Sequence, residues 1–196
     1  MKTPGNVIVN SPFDVPSKHW VPQRDGTLQL NQSRRPASYE IYDVRNNTRR
    51  VETLDQVNEI RQRVDQWRAA DYPGITTVTR QLLVHWFDRS ARQHPFYFCQ
   101  LEAIETLIWW VEAADAYRQG VFLQGDGGSW ERVCSKMATG SGKTTVMAML
   151  ITWQVLNAVT YPKRTKDFSR AIFIVAPGLT VKERLQVLYP GNVANA

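Results

Sequence analysis

Cysteine is scarce in this chain: Cys99 and Cys134 are the only two among 196 residues. They stand far apart and without metal-ligand spacing, which excludes a disulfide-stapled scaffold and a zinc knuckle and fits a reducing, intracellular setting. Cys134 reads as a buried free thiol on a strand. Histidine is nearly as rare, and His19, His85 and His94 have no Ser, Cys or Asp partner at the spacing of a nucleophilic triad. No apolar run approaches the roughly 20 residues of a membrane span. Met1-Lys2-Thr3-Pro4-Gly5 lacks the apolar core that follows the start of a secretory signal. We therefore expect a soluble, cytoplasmic protein with no membrane partner. Internal repeats and low-complexity segments are missing too, and no two acidic residues are adjacent anywhere.

What is present divides the chain in three. Residues 1–52 are extended and turn-rich: Pro12, Pro16, Pro22 and Pro36 exclude long helices, and Val7-Ile8-Val9 and Tyr39-Glu40-Ile41-Tyr42 are the short strand candidates. Residues 53–95 are helical. Leu54, Val57, Ile60, Val64 and Trp67 recur at spacings of three and four, predicting one amphipathic helix from about Thr53 to the stop at Pro73-Gly74. A second starts at Thr76 or Thr77, carries Val78, Leu82, Leu83, Trp86 and Phe87, and closes before His94-Pro95. From residue 96 to 196 we expect a third domain. A helix from about Gln100 to Tyr117 buries Leu101, Ile104, Leu107, Ile108 and Val111, with Trp109-Trp110 as packing residues. Val121-Phe122-Leu123 and Arg132-Val133-Cys134 flank the turn signal Gly125-Asp126-Gly127-Gly128 and predict a hairpin.

The most informative stretch follows, Met137-Ala138-Thr139-Gly140-Ser141-Gly142-Lys143-Thr144-Thr145. Its glycines let backbone amides close around phosphates, its lysine supplies a point charge, and its hydroxyl suits Mg²⁺. The strand predicted over 132–137 and the helix predicted from Thr144 to Ala158 set the loop on a helix N-terminus, where free amides and the macrodipole favour anions. The spacing assigns Lys143 to the β- and γ-phosphates, Thr144 to Mg²⁺, and Thr139, Gly140, Ser141, Gly142 and Thr145 to amide contacts, with ATP and Mg²⁺ as cofactors. One departure stands out: the general Gly-x-x-x-x-Gly-Lys-Thr pattern has glycine where this chain has Met137. Beyond the helix, Lys163-Arg164-Thr165-Lys166 reads as a solvated basic connector, and the apolar run Ala171–Ala176 as a strand buried on both faces. Strand, loop, helix, strand is a right-handed βαβ unit, so the expected class is α/β with a parallel sheet. A net charge of +6, from 24 Lys and Arg against 18 Asp and Glu, suits a partner that carries phosphates.

Met-Ala-Thr-Gly-Ser-Gly-Lys-Thr resembles motif I of superfamily 2 helicases and DNA translocases, DEAD/DEAH-like proteins that include the motor subunits of type III and type I restriction endonucleases. Phe98-Cys99-Gln100-Leu101-Glu102-Ala103-Ile104-Glu105-Thr106 resembles their glutamine motif. Ala171 to Leu185, with Ala176-Pro177-Gly178, resembles motif Ia. The resemblance spans residues 96–190, about half the chain, and Asn10-Ser11-Pro12-Phe13 and Arg34-Arg35-Pro36 resemble the start of the restriction subunits. It implies an incomplete RecA-like P-loop NTPase domain, preceded by the helical and extended N-terminal segments. It further implies that Gln100 reads adenine, with Phe96 or Phe98 packed on the base and Arg92 a weaker candidate. Pro177, Gly178, Lys182 and Arg184 are implied to touch the backbone of double-stranded DNA. Methyltransferase or specificity subunits of a restriction system are the implied protein partners.

Hydrolysis in that family needs an Asp-Glu pair to hold Mg²⁺ and orient water, and arginines from a second lobe. This sequence has no such pair; Leu82–Asp88 ends in an acid but has helical spacing. We therefore expect the N-terminal portion of a larger ATP-dependent hydrolase, inactive by itself. Two other readings stay open. One is a non-catalytic nucleotide- or DNA-binding module. The other is a different P-loop NTPase such as a kinase, against which Ala176-Pro177-Gly178 argues.

Overall fold

A computed structural model describes residues 7–189 except 24, 124, 126, 130 and 131. The chain opens with two antiparallel ribbons, β1 (His19–Pro22) with β2 (Leu28–Asn31), and β3 (Ser38–Asp43) with β4 (Thr48–Thr53). Each turn has a local cause. Gly26 takes φ +80° while the Asp25 carboxylate accepts the Thr27 amide at 2.9 Å; Asn47 takes φ +50° while Asp43 accepts the Arg45 amide at 2.9 Å. Then come the helices α1 (Asp55–Ala69), α2 (Thr77–Phe87), α3 (Phe98–Glu112), the single turn α4 (Asp115–Arg118), α5 (Lys143–Thr160) and α6 (Leu179–Arg184).

α1, α2 and α5 fall where the periodicity predicts them. The Thr76 hydroxyl caps α2 by accepting the Thr79 amide at 3.0 Å. The helix predicted over 100–117 is split instead. α3 stops at Glu112 because the Ala114 amide leaves the helical ladder for Pro73 O at 3.1 Å. Gly74 makes this approach feasible: at φ +101°, a Cβ there would stand 2.5 Å from Glu112 O.

α3 is the centre of the body, packed between α1 and α5, with α2 against α5. The core joins Val64 and Trp67 of α1, Leu83 and Trp86 of α2, Leu101, Ile104, Ile108 and Trp109 of α3, Met149 and Trp153 of α5, and Phe168. Trp67, Trp109 and Trp153 are wholly buried, so each removes its full apolar surface from water. Two polar clusters lock the helices together. Glu105, fully buried on α3, receives Arg68 of α1 in a two-pronged pair at 2.7 and 2.5 Å and the Tyr72 hydroxyl at 2.8 Å. Glu112, at the other end of α3, accepts the Thr76 amide at 2.8 Å, the Thr79 hydroxyl at 2.6 Å and Trp153 Nε1 at 2.7 Å. Asn157 completes this second cluster by accepting the Thr76 hydroxyl at 2.5 Å and donating to Thr79 Oγ1 at 3.0 Å.

The chain is mixed α/β, but its sheets among the described residues are the two antiparallel ribbons. Residues 132–137 and 171–176, the expected parallel strands, are not in strand conformation among the described residues. A ladder needs a neighbour on each edge to satisfy its backbone, and neither segment has one here. The consequences reach the side chains. Cys134 is exposed, not buried, and Phe173 and Val175 are 91 % and 75 % exposed. The flanks of the predicted 119–136 hairpin likewise form no strands, and its Asp126 lies outside the described residues, as do Met1-Lys2-Thr3-Pro4-Gly5 and Asn195-Ala196.

Candidate phosphate-binding site

α5 begins at Lys143 with Gly142 as its N-cap, at φ +80°, and Gly140 stands two residues earlier at φ +77°. Both glycines are in the left-handed region, where an L side chain is strained. They differ in their surroundings. Nothing lies within 4 Å of a Cβ placed at Gly140, whereas one at Gly142 would stand 2.0 Å from Gln100 Nε2. The loop is therefore open above Gly140 and backed tightly behind Gly142. Lys143, Thr144 and Thr145 occupy the first turn of an 18-residue helix, where backbone amides have no intrahelical acceptor. The first ladder bond here runs from Val146 N to Gly142 O at 3.2 Å.

Lys143 folds back on the loop, donating from Nζ to Ala138 O at 2.8 Å and Met137 O at 3.1 Å. Ser141 Oγ donates to the same Ala138 oxygen at 2.6 Å. Two carbonyls thus hold an ammonium beside a row of free amides. An incoming polyanion gains both the amides and the ammonium, at the expense of two neutral acceptors. Thr139 is exposed, and Thr144 and Thr145 are half-buried along the first turn. The Thr144 hydroxyl is a hard oxygen donor of the type Mg²⁺ takes.

Gln100, 6 % exposed, sits under this loop. Its Oε1 accepts the Tyr97 amide at 2.9 Å and its Nε2 donates to Ser141 O at 3.1 Å. The amide thereby fixes the first turn of α3 to the glycine loop at 138–142, a role the sequence did not signal. Cys99 lies alongside, with Sγ 3.9 Å from Ser141 O, and burial raises its thiol pKa. The aromatics expected beside a base are engaged elsewhere. Phe98 is buried beneath the Arg34 guanidinium, 5.4 Å from the ring centre, and Phe96 lies under Arg92 at 4.2 Å. Arg92 itself donates to the Trp86 and His85 carbonyls, each at 3.0 Å. Tyr97 is the open ring of this turn, 42 % exposed and 5.5 Å from Phe13.

Sequence reasoning also missed Lys136, immediately before the loop. Its ammonium lies 4.0 Å from the centre of the Tyr39 ring and donates to the Tyr39 hydroxyl at 2.9 Å, so β3 holds the loop's entry. A cation and an aromatic 97 residues apart give no local signal.

Pro177, Gly178, Lys182 and Arg184 are all exposed. Gly178 caps α6, accepting the Lys182 amide at 3.0 Å, and both basic side chains lie in that helix's last turn. The turn of 3₁₀ helix at Leu185–Leu188 packs on α5, the same helix whose N-terminus carries the candidate phosphate loop. In the basic connector, Arg164 is docked, 2.8 Å from Asp167 and over the Phe168 ring, while Lys163 and Lys166 are exposed. Among the described residues no group of three or more His, Cys, Asp or Glu is placed to hold a metal, and no helix is long and apolar enough to cross a membrane.

Compared with models of known families, with curated proteins and with solved structures, the chain matches none.

Proposed function

We propose that this chain binds ATP–Mg²⁺ on residues 139–145, as the nucleotide-binding N-terminal part of a superfamily 2 DNA translocase of the restriction motor-subunit kind. The observation that carries the reading is the loop itself: two left-handed glycines, open space above Gly140, and Lys143 at the head of a long helix. On this reading Lys143 exchanges the Met137 and Ala138 carbonyls for β- and γ-phosphate oxygens. The amides of 140–145 cradle the chain of phosphates, and Thr144 holds the ion. When bound, Mg²⁺ neutralises charge on the phosphates and orients them. Gln100 supports the loop from behind, and reading adenine requires its amide to exchange the Tyr97 and Ser141 bonds for the base edge. The exposed apolar run Ala171–Ala176 supports a RecA-like parallel sheet as the setting in which it and residues 132–137 become paired. Pro177, Gly178, Lys182 and Arg184 are available to the backbone of double-stranded DNA, and methyltransferase or specificity subunits are the protein partners this reading calls for.

Titration calorimetry with ATP and Mg²⁺ tests the first step. Lys143→Ala should weaken binding about tenfold or more, the loss of one charge-assisted contact. Affinity indifferent to Lys143 would remove the reading.

The lack of adjacent acidic residues favours a second reading for this chain, a nucleotide-binding module without turnover. ATP hydrolysis abolished by Lys143→Ala would reject it. Nucleic-acid binding separates both from another P-loop enzyme: DNA affinity should fall by about 0.9 decades per decade of salt for each phosphate neutralised, and Lys182→Ala with Arg184→Ala should reduce that slope.

A further inference from the structure

The β3–β4 ribbon is tied to the body at its base, where Asn58 of α1 bonds Ala37, and to Lys136 through Tyr39. Its strands pair only with each other among the described residues, and Tyr39, Ile41, Tyr42, Val44 and Val51 are all exposed. A lone two-stranded ribbon is marginal in water, and each open edge presents backbone groups that template another strand. The phase of the ladder shows which groups those are. The Leu54 amide donates to Ala37 O at 2.8 Å, one step before the pair Ser38–Thr53. Hydrogen-bonded pairs alternate along an antiparallel ladder, so Tyr39–Glu52 and Ile41–Arg50 bond across the ribbon. Arg49, Val51 and Thr53 therefore turn their N–H and C=O groups toward the open edge of β4.

Charges on an edge strand ordinarily repel a further strand. The order Arg49-Arg50-Val51-Glu52-Thr53 does the reverse when the further strand is a second copy of itself. We propose that this protein dimerises through β4, with the two strands antiparallel about a two-fold axis at Val51. Val51 exchanges both backbone hydrogen bonds with the partner's Val51, and Arg49 bonds with the partner's Thr53. Arg50 faces the partner's Glu52, and Glu52 the partner's Arg50, in the non-bonded pairs where side chains stand closest. The neighbouring axes on β4 bring like charges together. An axis at Arg49 or Arg50 sets guanidinium against guanidinium, and one at Glu52 sets carboxylate against carboxylate. The edge of β3, centred on Ile41, brings Glu40 against Tyr42 and forms no ion pair. Arg50 and Glu52 are already on one face, 2.6 Å apart and 76 % and 40 % exposed, so the exchange of partners desolvates little new charge. The product is a four-stranded sheet, β3-β4 followed by the partner's β4-β3, with the self-complementary contact that two-fold symmetry demands. It is independent of the nucleotide reading.

Sedimentation over a concentration series of the whole chain tests it. The expected result is a reversible monomer–dimer equilibrium. Arg50→Glu alone and Glu52→Arg alone each set like charges across the seam and should weaken association about tenfold. Mixing these two variants in equal amounts should restore pairing, because each supplies the charge the other lacks. Val51→Pro deletes the outward amide, which the monomer tolerates at an open edge, and should abolish the dimer while keeping the melting temperature of the dilute, monomeric wild type. A chain that stays monomeric at every concentration overturns the proposal. So does a dimer indifferent to Val51→Pro and to both charge variants, which would assign association to another surface.

Discussion

The helical body and the segments on either side of the glycine loop at 138–142 follow opposite rules. In the body, three tryptophans are fully buried and both buried carboxylates have every oxygen engaged. In residues 171–176, a run just as apolar lies in water without a ladder partner. Hydrophobicity is the same in both; the difference is how far away the partner must come from. A helix satisfies its backbone within itself and needs neighbours only for one face. A strand needs a second strand before it can bury anything.

The largest effect should come from breaking the polar lock of the body. Glu112→Ala deprives the Thr76 amide, the Thr79 hydroxyl and Trp153 Nε1 of their acceptor, and urea unfolding should register a loss of about 3–5 kcal/mol. Arg68→Met leaves Glu105 buried with only Tyr72 as donor. Glu105 holds the Arg68 guanidinium above its ordinary pKa, and the same measurement should show about 3 kcal/mol lost. At the loop, Gly142→Ala meets both a left-handed φ and the Gln100 amide, while Gly140→Ala meets only the φ. The first should lower stability by about 2 kcal/mol and abolish ATP binding, the second by about 1 kcal/mol, read by thermal melting.

A smaller effect concerns pH. Burial first, and Glu105 second, raise the Tyr72 phenol above its ordinary value. A raised folded pKa means that the unfolded chain gives up this proton first, so stability is complete below a pH of about 10 and declines above it. Tyr72→Phe should flatten that alkaline decline in unfolding measured against pH. The smallest effect belongs to the other side of the comparison: Phe173→Ser should change stability by less than about 0.5 kcal/mol, because the side chain has no packing to lose. A large loss on Phe173→Ser would mean that residues 171–176 are buried in solution.

How much of this was legible in the sequence follows the same distinction. Val57, Ile60, Val64 and Trp67 announce α1 by spacing alone, and Thr76 announces the start of α2, because cause and effect lie within one turn. The Gly140-Ser141-Gly142-Lys143-Thr144 stretch is as local, and it stands at the head of a helix as its spacing predicts. The break after Glu112 was not legible: it depends on Gly74 and Pro73, some 40 residues upstream, meeting the end of α3. Gln100 carries the same lesson within the candidate site. Its bond to Ser141 is a contact across 41 residues, and nothing near Gln100 in sequence distinguishes a loop support from a base reader.

The Glu112 cluster has a mechanical consequence for α5. Trp153 and Asn157 anchor this helix to α2 and α3 in its second half, while its first residue, Lys143, closes the candidate phosphate loop. Ten residues of helix separate Lys143 from Trp153, about 15 Å at the usual rise. α5 is thus pinned at Trp153. Val146 and Met149 are buried as well, so a shift at the loop is confined to the first turn ahead of them, and a slide along the axis would have to tear Trp153 from Glu112. Amide hydrogen exchange along α5, with and without nucleotide, should change ahead of Val146 and stay constant behind it.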